Sequence, residues 1–186
     1  MNSKEREDDL KFLRKVSSIC SVVFKIFSVL CFIAAIVCLI FMIVSPFIPW
    51  DETIKFVKDN IQVDAKVIDY LNIRYAEVGC VIGLISFVAS MFGTDLSYHL
   101  FRNIKKEGTP FRSTNVSLLN KIGVVSLIQG VGIPCISTII TLSTKTSDLF
   151  TGTISGVSII FGLLIFALSL VFKYGVSLQD EADTTL

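Results

Sequence analysis

Chemistry-bearing residues are scarce in this sequence. Among 186 residues there is one histidine, His99, and one tryptophan, Trp50. His99 has no G-x-S-x-G setting and no reactive-cysteine context, so no nucleophile, base and orienting group come together. No glycine-rich loop that would cradle a phosphate is present, so the D-E-A-D spelt by residues 180–183 does not indicate a helicase. The five cysteines, Cys20, Cys31, Cys38, Cys80 and Cys135, form no C-x-x-C and sit in or beside apolar runs. Neither a disulfide framework nor a zinc site follows, and they read as small apolar residues. No internal repeat is visible. An enzyme is not expected, and no cofactor or metal is implied.

What the chain has in quantity is apolar sequence. Hydrophobic residues make up 52%, mean hydropathy is +0.71 and the net charge is only +1. One small soluble core could not hide four long apolar runs. They fall at about 26–48, 75–96, 122–142 and 154–172, each near the roughly 20 residues that cross about 30 Å of hydrocarbon as helix. The expected fold is all-α: a single polytopic membrane domain over residues 1–186. It is a four-transmembrane-helix bundle with short amphipathic juxtamembrane helices. The first run should stay as an anchor, because what precedes it is acidic as well as basic and no A-x-A site follows.

Orientation follows from lysine and arginine. The arm before the first span, the middle loop 99–121 and the tail 173–186 hold twelve, and the opposite side holds five. The positive-inside bias predicts that both termini and the middle loop lie in the cytoplasm, with loop 51–74 exterior. The basic loop is thus an orientation signal, and no direct nucleic-acid binding is expected.

In the arm, Leu10, Leu13, Val16, Cys20 and Val23 recur at helical spacing with Lys11, Arg14 and Lys15 between them. This fits an interfacial helix or the lead-in to the first span. Pro46, Pro49 and Trp50 form an interfacial stop. In the exterior loop, Ile54, Val57 and Ile61 share one helical face, and Val67, Ile68 and Leu71 another. That loop reads as a lid over the helices, with a ligand site as the sharper alternative.

The spans carry their own signals. Gly79 and Gly83 in the second form a small-x-x-x-small step, as do Gly152 with Gly156 and Ser158 with Gly162 in the fourth, and the two sets are expected to pack together. Asp95, His99, Arg102 and Lys106 lie on one face as a charge ladder, too poor in ligands for a metal. Gly130, Gly132 and Pro134 interrupt the third span beside Gln129. Pro134 crowds the carbonyl of Gly130, and a kink is expected. The bend is either structural or a transport site built from freed backbone groups.

The middle loop bends at Gly108, which can close a helix in the left-handed conformation. Pro110 then forbids an immediate restart, and Ser113, Thr114 or Asn115 can cap the next helix. Gly108, Pro110, Phe111, Asn115, Leu119, Ile122 and Gly123 here, with Phe172, Gly175, Leu178, Gln179, Glu181, Asp183, Thr185 and Leu186 in the tail, resemble an uncharacterised family of small bacterial membrane proteins, the YoaS-like group. The resemblance implies a four-helix inner-membrane protein of unknown activity, often encoded beside a small helix-turn-helix regulator. It supplies no catalytic residues.

Turn and tail should emerge on the same face. Phe111, Leu178 and Gln179 are expected to pack together or offer a joint surface, with Lys105, Lys106 and Arg112 facing Asp180, Glu181 and Asp183. The preferred function is a non-enzymatic regulatory, sensor or docking protein. Its partner would be a helix-turn-helix regulator or another membrane protein, and the bilayer its surroundings. The alternative is a small transporter or channel component, monomeric or oligomeric, working through the interrupted third span.

Overall fold

The computed structural model describes residues 3–60, 73–145 and 153–184, which contain helices and no strand. The first helix, α1 (Ser3–Val44), is 42 residues long. At 1.5 Å per residue that is about 63 Å, roughly twice the hydrocarbon thickness. No glycine or proline interrupts it, so the arm is the lead-in to the first span and not a separate interfacial helix. Pro46 then forces a short 3-10 turn, Ser45–Phe47, before α2 (Trp50–Asn60). The Trp50 indole donates to the Ser45 carbonyl at 2.8 Å and meets the Phe41 ring edge-on at 6.0 Å. The expected exterior face at Val67, Ile68 and Leu71, and Ile61 before it, lie outside the described residues.

Helix α3 (Ile73–Glu107) carries the second span and ends at Gly108. The third span is α4 (Ser113–Leu127), a π-helical turn (Ile128–Gly132) and α5 (Ile133–Thr144). The last, α6 (Gly156–Thr184), runs through most of what the sequence presents as a tail. Glu7–Phe47, Tyr75–Glu107, Ser113–Thr144 and Gly156–Ala182 are long and apolar enough to cross a membrane, which makes this a multi-pass membrane protein.

Burial is distributed as lipid solvation requires. Lipid tails are as apolar as leucine, so helices associate through small side chains that allow close approach. Ser17, Ser21, Ser28, Ser97, Ser137, Thr141 and Ser169 are buried, whereas Leu30, Ile139, Leu163 and Leu170 point outward. Among the described residues, a compact apolar core forms near the basic end, from Leu100, Ile104, Leu119 and Ile122, with Leu13, Phe101 and Phe172 against it. The extensive contacts join successive spans: α1 with α3, α3 with α4 and α5, and α4 with α6.

Two of the polar contacts that tie the first span and its terminal turn to α3 stand about one hydrocarbon thickness apart. At one, the Ser45 hydroxyl donates to Glu77 Oε1 at 3.1 Å; at the other, Lys25 meets Asp95 at 3.4 Å. Lys25 to Val44 spans about 29 Å of helix and Glu77 to Asp95 about 27 Å, close to one hydrocarbon thickness.

Candidate functional site

The turn at the basic end is built from backbone constraints. Gly108 closes α3 with φ +72°, its N–H donating to the Ile104 carbonyl at 2.9 Å. A Cβ there would stand 3.4 Å from the Arg14 guanidinium, because the α1 arm lies against the turn. The Phe111 N–H reaches Thr109 Oγ1 at 3.2 Å. None of the three expected residues caps α4: the N-cap is Arg112 in extended conformation, without a side-chain bond. Asn115 instead points back across the turn. It is fully buried, and its amide donates to the Pro110 carbonyl at 3.1 Å. The Asn115 carbonyl oxygen has no partner among the described residues.

Phe111 meets α6 at its middle. Its ring lies edge-on to Phe172, with centroids 5.4 Å apart, and covers Gly175 so closely that a Cβ there would collide with it. Turn and tail therefore share one face, as expected, through Phe111, Phe172 and Gly175. Leu178 stays 48% exposed, and Gln179 and Glu181 are exposed; Asp183 lies in the last turn of α6. Two of the three basic residues expected to face the tail acids have partners elsewhere. Arg112 pairs with Glu107 at 3.3 Å, and Lys105 donates to the Ser18 hydroxyl at 2.9 Å. The α1 arm offers Lys105 an acceptor, and Arg112 finds a carboxylate within its own turn.

The span glycines also take different partners from those expected. Gly83 faces Cys38 of α1 at 3.6 Å, and Gly79 is half-buried on the same helix. Gly162 faces Leu127 at 3.1 Å and the Gly123 carbonyl at 3.2 Å, Gly156 has open space, and Gly152 lies outside the described residues. Among the described residues, Gly83 and Gly162 thus serve separate seams. Closer approaches that the small-x-x-x-small pattern did not flag occur at Gly93, 3.2 Å from Val125, and Gly123, 3.1 Å from Phe166.

The interruption in the third span takes a defined form. Pro134 has no N–H for the Gly130 carbonyl four residues back. The Ser155 N–H, just before α6, donates to that carbonyl at 3.0 Å. Gly130 also seats Ser158 and Ile159, whose side chains would lie 3.0 and 3.2 Å from a Cβ. Gly132 faces only Ile128 of its own helix, at 3.6 Å. The extra residue is absorbed in the π turn, and α5 continues beyond it.

Between α3 and the π turn the Gln129 amide donates to Ser90 Oγ at 3.0 Å. A cavity of about 220 Å³ opens beside this bond, bordered also by Thr94, Ser97 and Ser126, with Phe24 and Phe161 at its flanks. The hydroxyl protons of Ser97 and Ser126 go to carbonyls of their own helices, so their lone pairs remain available. On the charge ladder, Asp95 holds Lys25 at 3.4 Å and His99 at 3.4 Å on its two oxygens. Lys25 comes from α1, seventy residues away, a partner that sequence spacing does not reveal.

A family model described as protein of unknown function (DUF2975) matches residues 58–186, well over half of the chain. The chain belongs to that family. The turn, the tail and three of the four spans fall within the match, and α1 precedes it. No curated protein and no solved structure matches the chain. DUF2975 membership brings no assigned activity and no residue roles.

Proposed function

We propose that this is a non-enzymatic membrane protein whose α6 tail docks a soluble partner, with the spans setting where that tail stands. The observation that carries the reading is the junction at Phe111. The ring locks the root of the tail helix against α4, while Leu178 beyond it is half exposed between exposed polar neighbours. A rigid helical stub with one apolar residue among acids suits a helix-in-groove contact. The lysine and arginine bias favours a cytoplasmic position for this end. The family resemblance in turn and tail favours a bacterial inner membrane and a helix-turn-helix regulator as partner. Phe111 acts as a wedge that positions the docking surface, and Leu178 as part of that surface.

A photocrosslinking residue at Leu178 should trap a soluble protein in intact cells, and one at the neighbouring half-buried Val176 should not. If Leu178 crosslinks only lipid or its own chain, docking through the tail fails. One observation favours a second reading, a transport role: the cavity beside the Gln129–Ser90 bond, mostly apolar but bordered by the hydroxyls of Thr94, Ser97 and Ser126. That role predicts altered solute flux in liposomes for Gln129→Leu, and absence of any flux in the parent would end it.

A further inference from the structure

We propose that the groove between α1 and α3 at the Lys25–Asp95 level is a binding site for a phospholipid with a primary-amine headgroup. The groove encloses about 330 Å³ and changes character along its length. At the rim stand Lys25 and Asp95, 3.4 Å apart and about half exposed. Beneath them Ser28 is buried, and deeper still the walls are Val29, Phe32 and Phe92. Charge, then hydroxyl, then hydrocarbon is the order met along a phospholipid from headgroup through ester to acyl chain.

The rim discriminates among headgroups. Lys25 lies 5.0 Å from the centre of the Tyr98 ring, and Arg102 lies on the same ring at 5.8 Å, so the cationic side of the rim is held in place. That side suits a phosphate. Asp95, whose two oxygens meet Lys25 and His99 at 3.4 Å each, stays partly exposed and keeps lone pairs that suit an ammonium able to donate hydrogen bonds. A phosphoethanolamine head presents both, adjacent and in that polarity. A phosphocholine head keeps the charge and loses the N–H donors, and an anionic glycerol head turns its hydroxyls toward Asp95 without a cation. The level is also correct, since the pair stands about one hydrocarbon thickness from the Ser45–Glu77 contact. This inference is independent of docking through the tail.

Native mass spectrometry of the full chain tests it, with phosphatidylethanolamine, phosphatidylcholine and phosphatidylglycerol of identical acyl chains added in equal amounts. The parent should retain the ethanolamine lipid about fivefold over the choline lipid, the scale of one partly exposed charge-assisted hydrogen bond. Asp95→Asn should bring that ratio to about one, and Lys25→Gln should lower retention of all three. Equal retention of ethanolamine and choline lipids by the parent overturns the proposal. Preference for the glycerol lipid, or an Asp95→Asn ratio equal to the parent's, does so as well. Should Asp95→Asn not insert, the parent's ratio decides alone.

Discussion

At Gly175 the helix has no side chain because the Phe111 ring occupies the place of one. Leucine there would displace the ring and cost about 2 kcal/mol, the usual size of an overpacking penalty. In a Phe111→Ala background most of that penalty should vanish, a coupling that a double-mutant cycle of detergent unfolding would measure. Additive effects would mean that ring and glycine are not in contact. Gly108 presents a different constraint, since its φ of +72° costs any residue with a Cβ about 1 kcal/mol. Gly108→Ala should lose that amount in the same assay, with Arg14 beside it adding to the loss. Both glycines stand out in the sequence, but the reason for Gly175 does not. Its partner is 64 positions away, and spacing within a helix carries no information about a ring arriving from another one. Asn115 was legible as polar at a helix start, yet its bond to Pro110 depends on a turn conformation that propensity alone leaves open.

Among the elements, the third span depends most on one backbone atom, the Gly130 carbonyl. Replacing Pro134 with alanine restores an N–H that competes with Ser155 for that oxygen. The Ser155 amide should then exchange with deuterium about fivefold faster, the scale of one net hydrogen bond. Unchanged exchange would show that α6 is held at its start by packing alone. The interruption was readable from Gly130, Gly132 and Pro134. Its resolution as a π turn was not, because that depends on a donor from the following helix. The length of α1 was understated for a related reason: a change from polar to apolar composition marks a membrane boundary, whereas the helix itself ends only where proline appears.

Over the whole molecule, four spans were countable because lipid demands about twenty apolar residues for each. Their order of contact was not, since outward leucines and inward serines look alike until neighbours are known. Successive contact predicts a crosslinking pattern. In a background without native cysteines, pairs placed across α1 and α3, and across α4 and α6, should join rapidly under mild oxidant. Pairs across α1 and α6 should not. Orientation is a separate matter. A cysteine at position 109 should react with an impermeant reagent only after cells are opened, and labelling from outside would reverse the topology expected from lysine and arginine.

The Ser45–Glu77 and Lys25–Asp95 crossings give the protein a fixed ruler. Both crossings are tied to the same pair of spans, so their spacing cannot stretch to follow a host bilayer. A thicker bilayer would draw Glu77 or Lys25 toward oil, and a thinner one would tilt the pair, at fractions of a kcal/mol for each ångström. Small as that sum is, it sorts a membrane protein toward regions whose thickness matches its own.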